Sequence, residues 1–157
     1  MTEFDSDEWR AERDAYLLAW MQGNHHARAF ILQMGEVAEV WDDLIDGDHV
    51  PAERLHSAFI TALFDITGNP FFAAHCNYLR PLMMAGMNAW LDSVDLEKQA
   101  DSWSKTWAYA LRDYYMELVP ACAFLVGGFE HMRLVSLEAR RFFQAETLEE
   151  FRDGRSD

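Results

Sequence analysis

Apolar residues recur at steps of three and four along nearly every segment of this chain, a spacing that builds helices and little else. Phe30, Met34, Val37, Ala38, Trp41, Leu44 and Ile45 fall on one stripe of such a helix. The same period returns in Trp103, Trp107, Leu111, Tyr114 and Leu118. No run alternates with period two, so nothing calls for a strand and the fold class is all-α.

Helix punctuation divides the pattern. Ser6 followed by Asp7 and Glu8 reads as an N-cap with acids in the first turn, opening a helix through Trp20 to about Gly23. A second helix starts near Asn24 and runs to Asp46, where Gly47 ends it. Pro51, at a first helical position, opens a third that carries Leu55, Phe59, Ile60 and Leu63 and stops around Thr67-Gly68-Asn69. Pro70 begins a long segment to about Trp90 or Val94, which Pro81 should kink or divide. A helix from Ser102 to Val119 is broken by Pro120, Gly127-Gly128 interrupts the apolar run that follows, and a last helix covers about Phe129 to Phe143. The expectation is a single-domain bundle of about five to seven helices over residues 1–147. Residues 148–157 read as a charged, mobile tail.

With 50% apolar and 14% aromatic residues, the chain can bury enough surface to offset the entropy of ordering it. Its net charge of −14, from 27 acidic and 13 basic residues, repels a phosphate backbone and excludes nucleic acid as a partner. Cys76 and Cys122 lie in apolar stretches and make neither a disulfide framework nor a zinc spacing, which points to a reduced, cytoplasmic setting. The opening MTEFDSDEWR is acidic where a signal peptide is basic and then apolar. No apolar run approaches the roughly eighteen residues needed to span a membrane, so no membrane span is expected.

The segment GEVAEVWDDLIDGD concentrates acid on the second helix. Glu36, Glu39, Asp43 and Asp46 follow at steps of three, four and three and line one side of it, flanked by Asp42 and Asp48. No Lys or Arg lies within four residues of any of those four. Hard oxygen ligands of this kind suit Mg²⁺ or Mn²⁺, which take one or two carboxylates and complete their shell with water and substrate phosphates. The same stripe sits opposite the apolar one, as on a solvated surface helix, although Ala29, Leu32 and Val40 beside the acids would let the helix be covered on two sides. Asp113 and Glu117, one turn apart, are candidates for a second acidic wall. Glu53 and His56 form a single E-x-x-H, half of what a di-iron bundle needs.

WDDLIDGD resembles the first D-D-x-x-D motif of class I isoprenoid synthases, squalene and phytoene synthases in particular, through Asp42, Asp43 and Asp46. The likeness extends loosely over residues 25–128, the front half of those enzymes, through RPLMMAGMNAWLDSV and YALRDYYMELVPACAFLVGG. It implies an isoprenoid-synthase-like all-α fold, a magnesium site holding a diphosphate-containing small molecule, and a homodimer that completes the cavity. Asp113 and Glu117 do not follow the family's second motif. Glu36-x-x-Glu39 also resembles the first motif of MazG-type nucleotide pyrophosphohydrolases. Against both stands a non-catalytic reading: a helical binding or assembly protein whose acidic face meets a basic partner and whose Trp, Phe and Met residues form core and interface.

Overall fold

The computed structural model describes residues 6–144 and 146–153, and among these every regular element is helical, as expected for an all-α chain. The chain divides into two compact units, Met1–Cys76 and Asn77–Asp157, where a single domain was expected. Helix pairing follows that division: the helix His25–Asp46 gathers Asp7–Trp20, Ala52–Ile60 and Ile66–Gly68 around itself, while Ser102–Arg112 contacts Leu148–Asp153 and is joined to Leu118–Phe143 through the turn Tyr114–Glu117. Helix α5, Pro70–Glu97, runs through the boundary.

In the first unit, the Ser6 hydroxyl accepts from the Trp9 N–H (3.1 Å) and opens α1, Asp7–Trp20. Asn24 caps α2, His25–Asp46, by accepting from the Ala27 N–H (3.0 Å). Gly47 ends α2 with φ 82°, a left-handed conformation that glycine adopts without a Cβ penalty, its N–H turned back to the Asp43 carbonyl. Pro51 takes the cap position rather than the first helical one, and α3 spans Ala52–Ile60. The helix continues through a π turn, Thr61–Asp65, into the short α4, Ile66–Gly68.

The core of this unit centres on Leu17, Phe30, Met34, Phe71 and Phe72, with the Phe30 and Phe72 rings stacked at 5.4 Å. Buried Asn69 joins two helices. Its side-chain nitrogen donates to the His26 carbonyl (3.0 Å) on α2, and its oxygen accepts from the N–H groups of Phe71 and Phe72 at the start of α5. The buried face of α2 is rotated from the expected stripe: Val40 is buried, whereas Leu44 and Ile45 are exposed. Helix α3 and the π turn both pack against α2, and each has a small buried residue, Ala58 and Thr61.

In the second unit, α5 passes through Pro81 as one continuous helix. Pro81, which offers no N–H to the Asn77 carbonyl one turn earlier, lies on the exposed side, as does Asn77. Asp101 caps α6, Ser102–Arg112. The helix ends earlier than expected, at Asp113, and a 3₁₀ turn, Tyr114–Glu117, leads into α7, Leu118–Phe143. Pro120 therefore sits in the first turn of α7, where its missing N–H has no intrahelical acceptor to serve. Gly128, at φ 79° and ψ −174°, interrupts the helical path of α7 where the glycine pair predicts a break.

Residues 148–153 of the expected tail form α8, Leu148–Asp153. Phe151 is 2% exposed and packs against Tyr109 at 5.5 Å, while the Tyr109 hydroxyl donates to the Glu146 carbonyl (2.6 Å). The remaining tail, 154–157, lies outside the described residues. The helical stretch Ser102–Phe143 contains an 18-residue window of mean hydropathy 1.3, of which 39% is buried. That window meets the length and composition of a membrane span, contrary to the expectation that no stretch would, and core helices of soluble proteins meet the same test.

Candidate functional site

Helix α3 returns alongside α2 and sets its polar side chains against the acidic face. The Arg54 guanidinium lies 2.7 Å from Glu39 and also binds Asp43. One turn further, the Ser57 hydroxyl donates to Glu36 (2.6 Å), and the Thr61 hydroxyl lies 3.5 Å from Glu36 and 3.3 Å from Asp65. Asp42 is half-buried, and Asp46 is exposed in the last turn of α2. The structure thus brings Glu36, Glu39 and Asp43 together and supplies their counter-charge from a residue that sequence spacing did not connect to them.

The magnitudes are comparable. Like charges one turn apart cost roughly 0.2–0.5 kcal/mol per pair on a helix. A partly exposed ion pair returns roughly 0.2–1 kcal/mol, and Arg54 makes two. The repulsion is therefore offset from within the protein. Arg54 occupies the position between Glu39 and Asp43 that a divalent ion would need, and Glu36 is spent on hydroxyl donors. Among the described residues no group of three or more His, Cys, Asp or Glu side chains is placed to hold a metal ion. As arranged, the Arg54 guanidinium meets Glu39 and Asp43, and the Ser57 hydroxyl meets Glu36.

The proposed second wall is likewise engaged inside its own unit. Glu117 pairs with Arg140, and Asp113 lies 3.5 Å from the Arg112 Nε. Burial pushes the Asp113 carboxyl above its usual range, against the pull of Arg112. Arg112 in turn pairs with Glu146 and stands over the Phe151 ring at 5.0 Å, so this charge cluster fastens α8 to α6. Asp113, Arg140, Arg141 and Gln144 line an open cleft of about 370 Å³. Deeper in this unit, burial raises the Cys122 thiol and the Tyr115 hydroxyl well above their ordinary values, and the Tyr115 oxygen has no hydrogen-bond partner among the described residues. Glu53 and His56 are exposed, and His75 packs against Phe71 with ring centroids at 4.8 Å and planes inclined by 56°.

The larger surprise is apolar. On α3 and the π turn the small residues Ala58 and Thr61 are buried while the bulky ones face outward. Phe59, Ile60, Leu63 and Phe64 are each more than half exposed. The π turn takes in Leu63 and Phe64 and holds them on one side with Phe59 and Ile60. Periodicity alone reports these residues as core, since it registers that apolar side chains share a face and not whether that face is covered. No family model, curated protein or solved structure matches the chain.

Proposed function

We propose that the chain is a non-catalytic helical assembly protein that pairs with a second copy of itself through the Phe59–Phe64 face and offers acidic surface to a basic partner. The observation that carries this reading is the exposure of four large apolar side chains within six residues on one helix, a concentration that single scattered surface apolars do not produce. The acidic balance of 27 acids to 13 bases supports the basic partner. The direct experiment is sedimentation of the wild type beside Phe59→Ser/Phe64→Ser. The double variant should remain folded and sediment as the 18.2 kDa chain, while the wild type sediments as a dimer.

A second reading keeps the resemblance to isoprenoid synthases or MazG-type pyrophosphohydrolases: a divalent ion displaces Arg54 from Glu39 and Asp43 and recruits a diphosphate. The convergence of Glu39 and Asp43 on one cation, with Glu36 one turn away, supports it. Calorimetry separates the two. Heat evolved only when magnesium and pyrophosphate are both present favours the diphosphate reading, and silence at millimolar ligand favours assembly.

A further inference from the structure

Within the second unit, the last turns of α5 and one face of α6 enclose a groove of about 440 Å³, lined chiefly by Asp92, Asp95, Leu96, Trp103, Trp107 and Leu111. Sequence spacing places both tryptophans in a core stripe. In the structure Trp103 is 65% and Trp107 46% exposed, one helical turn apart, with ring centroids at 6.2 Å and planes inclined by 52°. Exposed indole faces are the aromatic surfaces best suited to a cation, through their quadrupoles. Indole is also the side chain most enriched among residues that anchor protein partners.

The carboxylates beside them carry the opposite requirement. Asp92 accepts from the Asn88 amide (3.1 Å), which leaves its charge uncancelled. Asp95 pairs with Lys98 at 2.9 Å, but both side chains are largely solvated. Such a pair is weak and readily exchanged for another cation. Aromatic faces flanked by carboxylates complement a cationic side chain with apolar neighbours. Leu96 and Leu111 supply the apolar contact.

Charge selects among occupants. A second copy brings a net charge of −14 against Asp92 and Asp95, and anionic lipid headgroups and nucleic acid are repelled in the same way. We propose that this groove docks a basic segment of a different protein, its Arg or Lys side chains lying over Trp103 and Trp107 and reaching Asp92 and Asp95 while its apolar side chains rest on Leu96 and Leu111. The proposal rests on the binding-protein reading above but uses a surface separate from the Phe59–Phe64 face. The volume falls in the range of about 300–1,000 Å³ typical of ligand sites, enough for a short anchor of side chains.

The probe is a capped amphipathic helical peptide of Arg, Leu and Ala, titrated into the full chain at 150 mM salt and followed by tryptophan fluorescence and calorimetry. A peptide with Glu in place of Arg is the control. Binding of the Arg peptide alone is expected, weakening as salt rises. Trp103→Ala/Trp107→Ala should weaken it by about tenfold or more, as removal of an aromatic anchor pair does. Asp92→Asn/Asp95→Asn, a change at two exposed positions that leaves the fold intact, should weaken it several-fold and flatten the salt dependence. Asp46→Asn/Asp48→Asn, which removes the same charge from the first unit, should change nothing.

Equal binding by wild type and both groove variants would overturn the groove while leaving the binding-protein reading in place. Absence of binding at millimolar Arg peptide, or equal binding of the Glu peptide, would overturn the proposal. So would phosphatidylcholine vesicles that bind with the same tryptophan dependence. Dimerisation that is lost in Trp103→Ala/Trp107→Ala but kept in Phe59→Ser/Phe64→Ser would assign the groove to a second copy instead.

Discussion

Arg54 stands 2.7 Å from Glu39 and also binds Asp43, so one guanidinium from α3 bridges carboxylates on successive turns of α2. The pairing gives α3 a polar reason to lie along α2, in addition to the apolar one supplied by Ala58. It also leaves the bulky side of α3 facing outward, where assembly can use it.

Removing Arg54 should expose the repulsion it cancels. Arg54→Ala is expected to lower stability in urea by about 1 kcal/mol, the scale of two partly exposed ion pairs. The sharper expectation is a sign change. Asp43→Asn should destabilise the wild type slightly but stabilise Arg54→Ala, and a double-mutant cycle reads that coupling directly. Additive effects would mean the contact does not matter.

Asn69 carries a heavier load than its polarity suggests. Asn69→Ala removes the cap of α5 and leaves the His26 carbonyl on α2 without its donor. Loss of a cap and of a buried hydrogen bond together should cost about 2–3 kcal/mol. Thermal or urea unfolding with an unchanged circular dichroism spectrum would check it.

The raised Asp113 carboxyl predicts a pH dependence. Its folded-state pKa lies above the unfolded value near 3.8, so the native state holds its proton longer. Its contribution is most favourable at and below that value and is lost as pH rises through the folded pKa. Asp113→Asn should therefore gain stability relative to wild type as pH rises from about 4 towards neutrality. A difference that stays flat with pH would contradict the burial argument.

Cys122 follows the same sign at alkaline pH. Burial raises its thiol above the ordinary value of 9.0, so the folded form keeps the proton that the unfolded chain releases. Stability should fall as pH rises beyond about 9, and Cys122→Ala should flatten that slope. In the native protein Cys122 should react with a thiol reagent only at the rate of unfolding. Fast modification of both cysteines would refute its burial.

What could be read from the sequence was local. Ser6, Asn24 and Gly47 mark helix ends where the structure has them, because a cap is decided by a few neighbouring atoms. The break at Gly128 was legible for the same reason. Pro120 reads as a helix breaker but opens a helix instead, because a proline that cannot continue one helix is equally suited to the first turn of the next. Arg54 was out of view because its partners lie on another helix, and only the return of α3 along α2 brings them together. Phe151 reads as tail because one aromatic among charges shows no period, although Tyr109 and Arg112 pack against it. Spacing puts Glu36, Glu39, Asp43 and Asp46 on one side of α2, but it does not reveal the partners that α3 brings to the first three.

Assembly through the outward apolar side of α3 can be read by sedimentation equilibrium at two salt concentrations. Each copy carries a net charge of −14, so screening should strengthen self-association through an apolar face, the reverse of the salt effect on a basic partner. The account predicts a wild-type dimer that tightens from low to high salt, and a Phe59→Ser/Phe64→Ser variant that stays a folded 18.2 kDa monomer at both. A wild type that remains monomeric at tens of micromolar in high salt, or a variant that dimerises as well as the wild type, would contradict it.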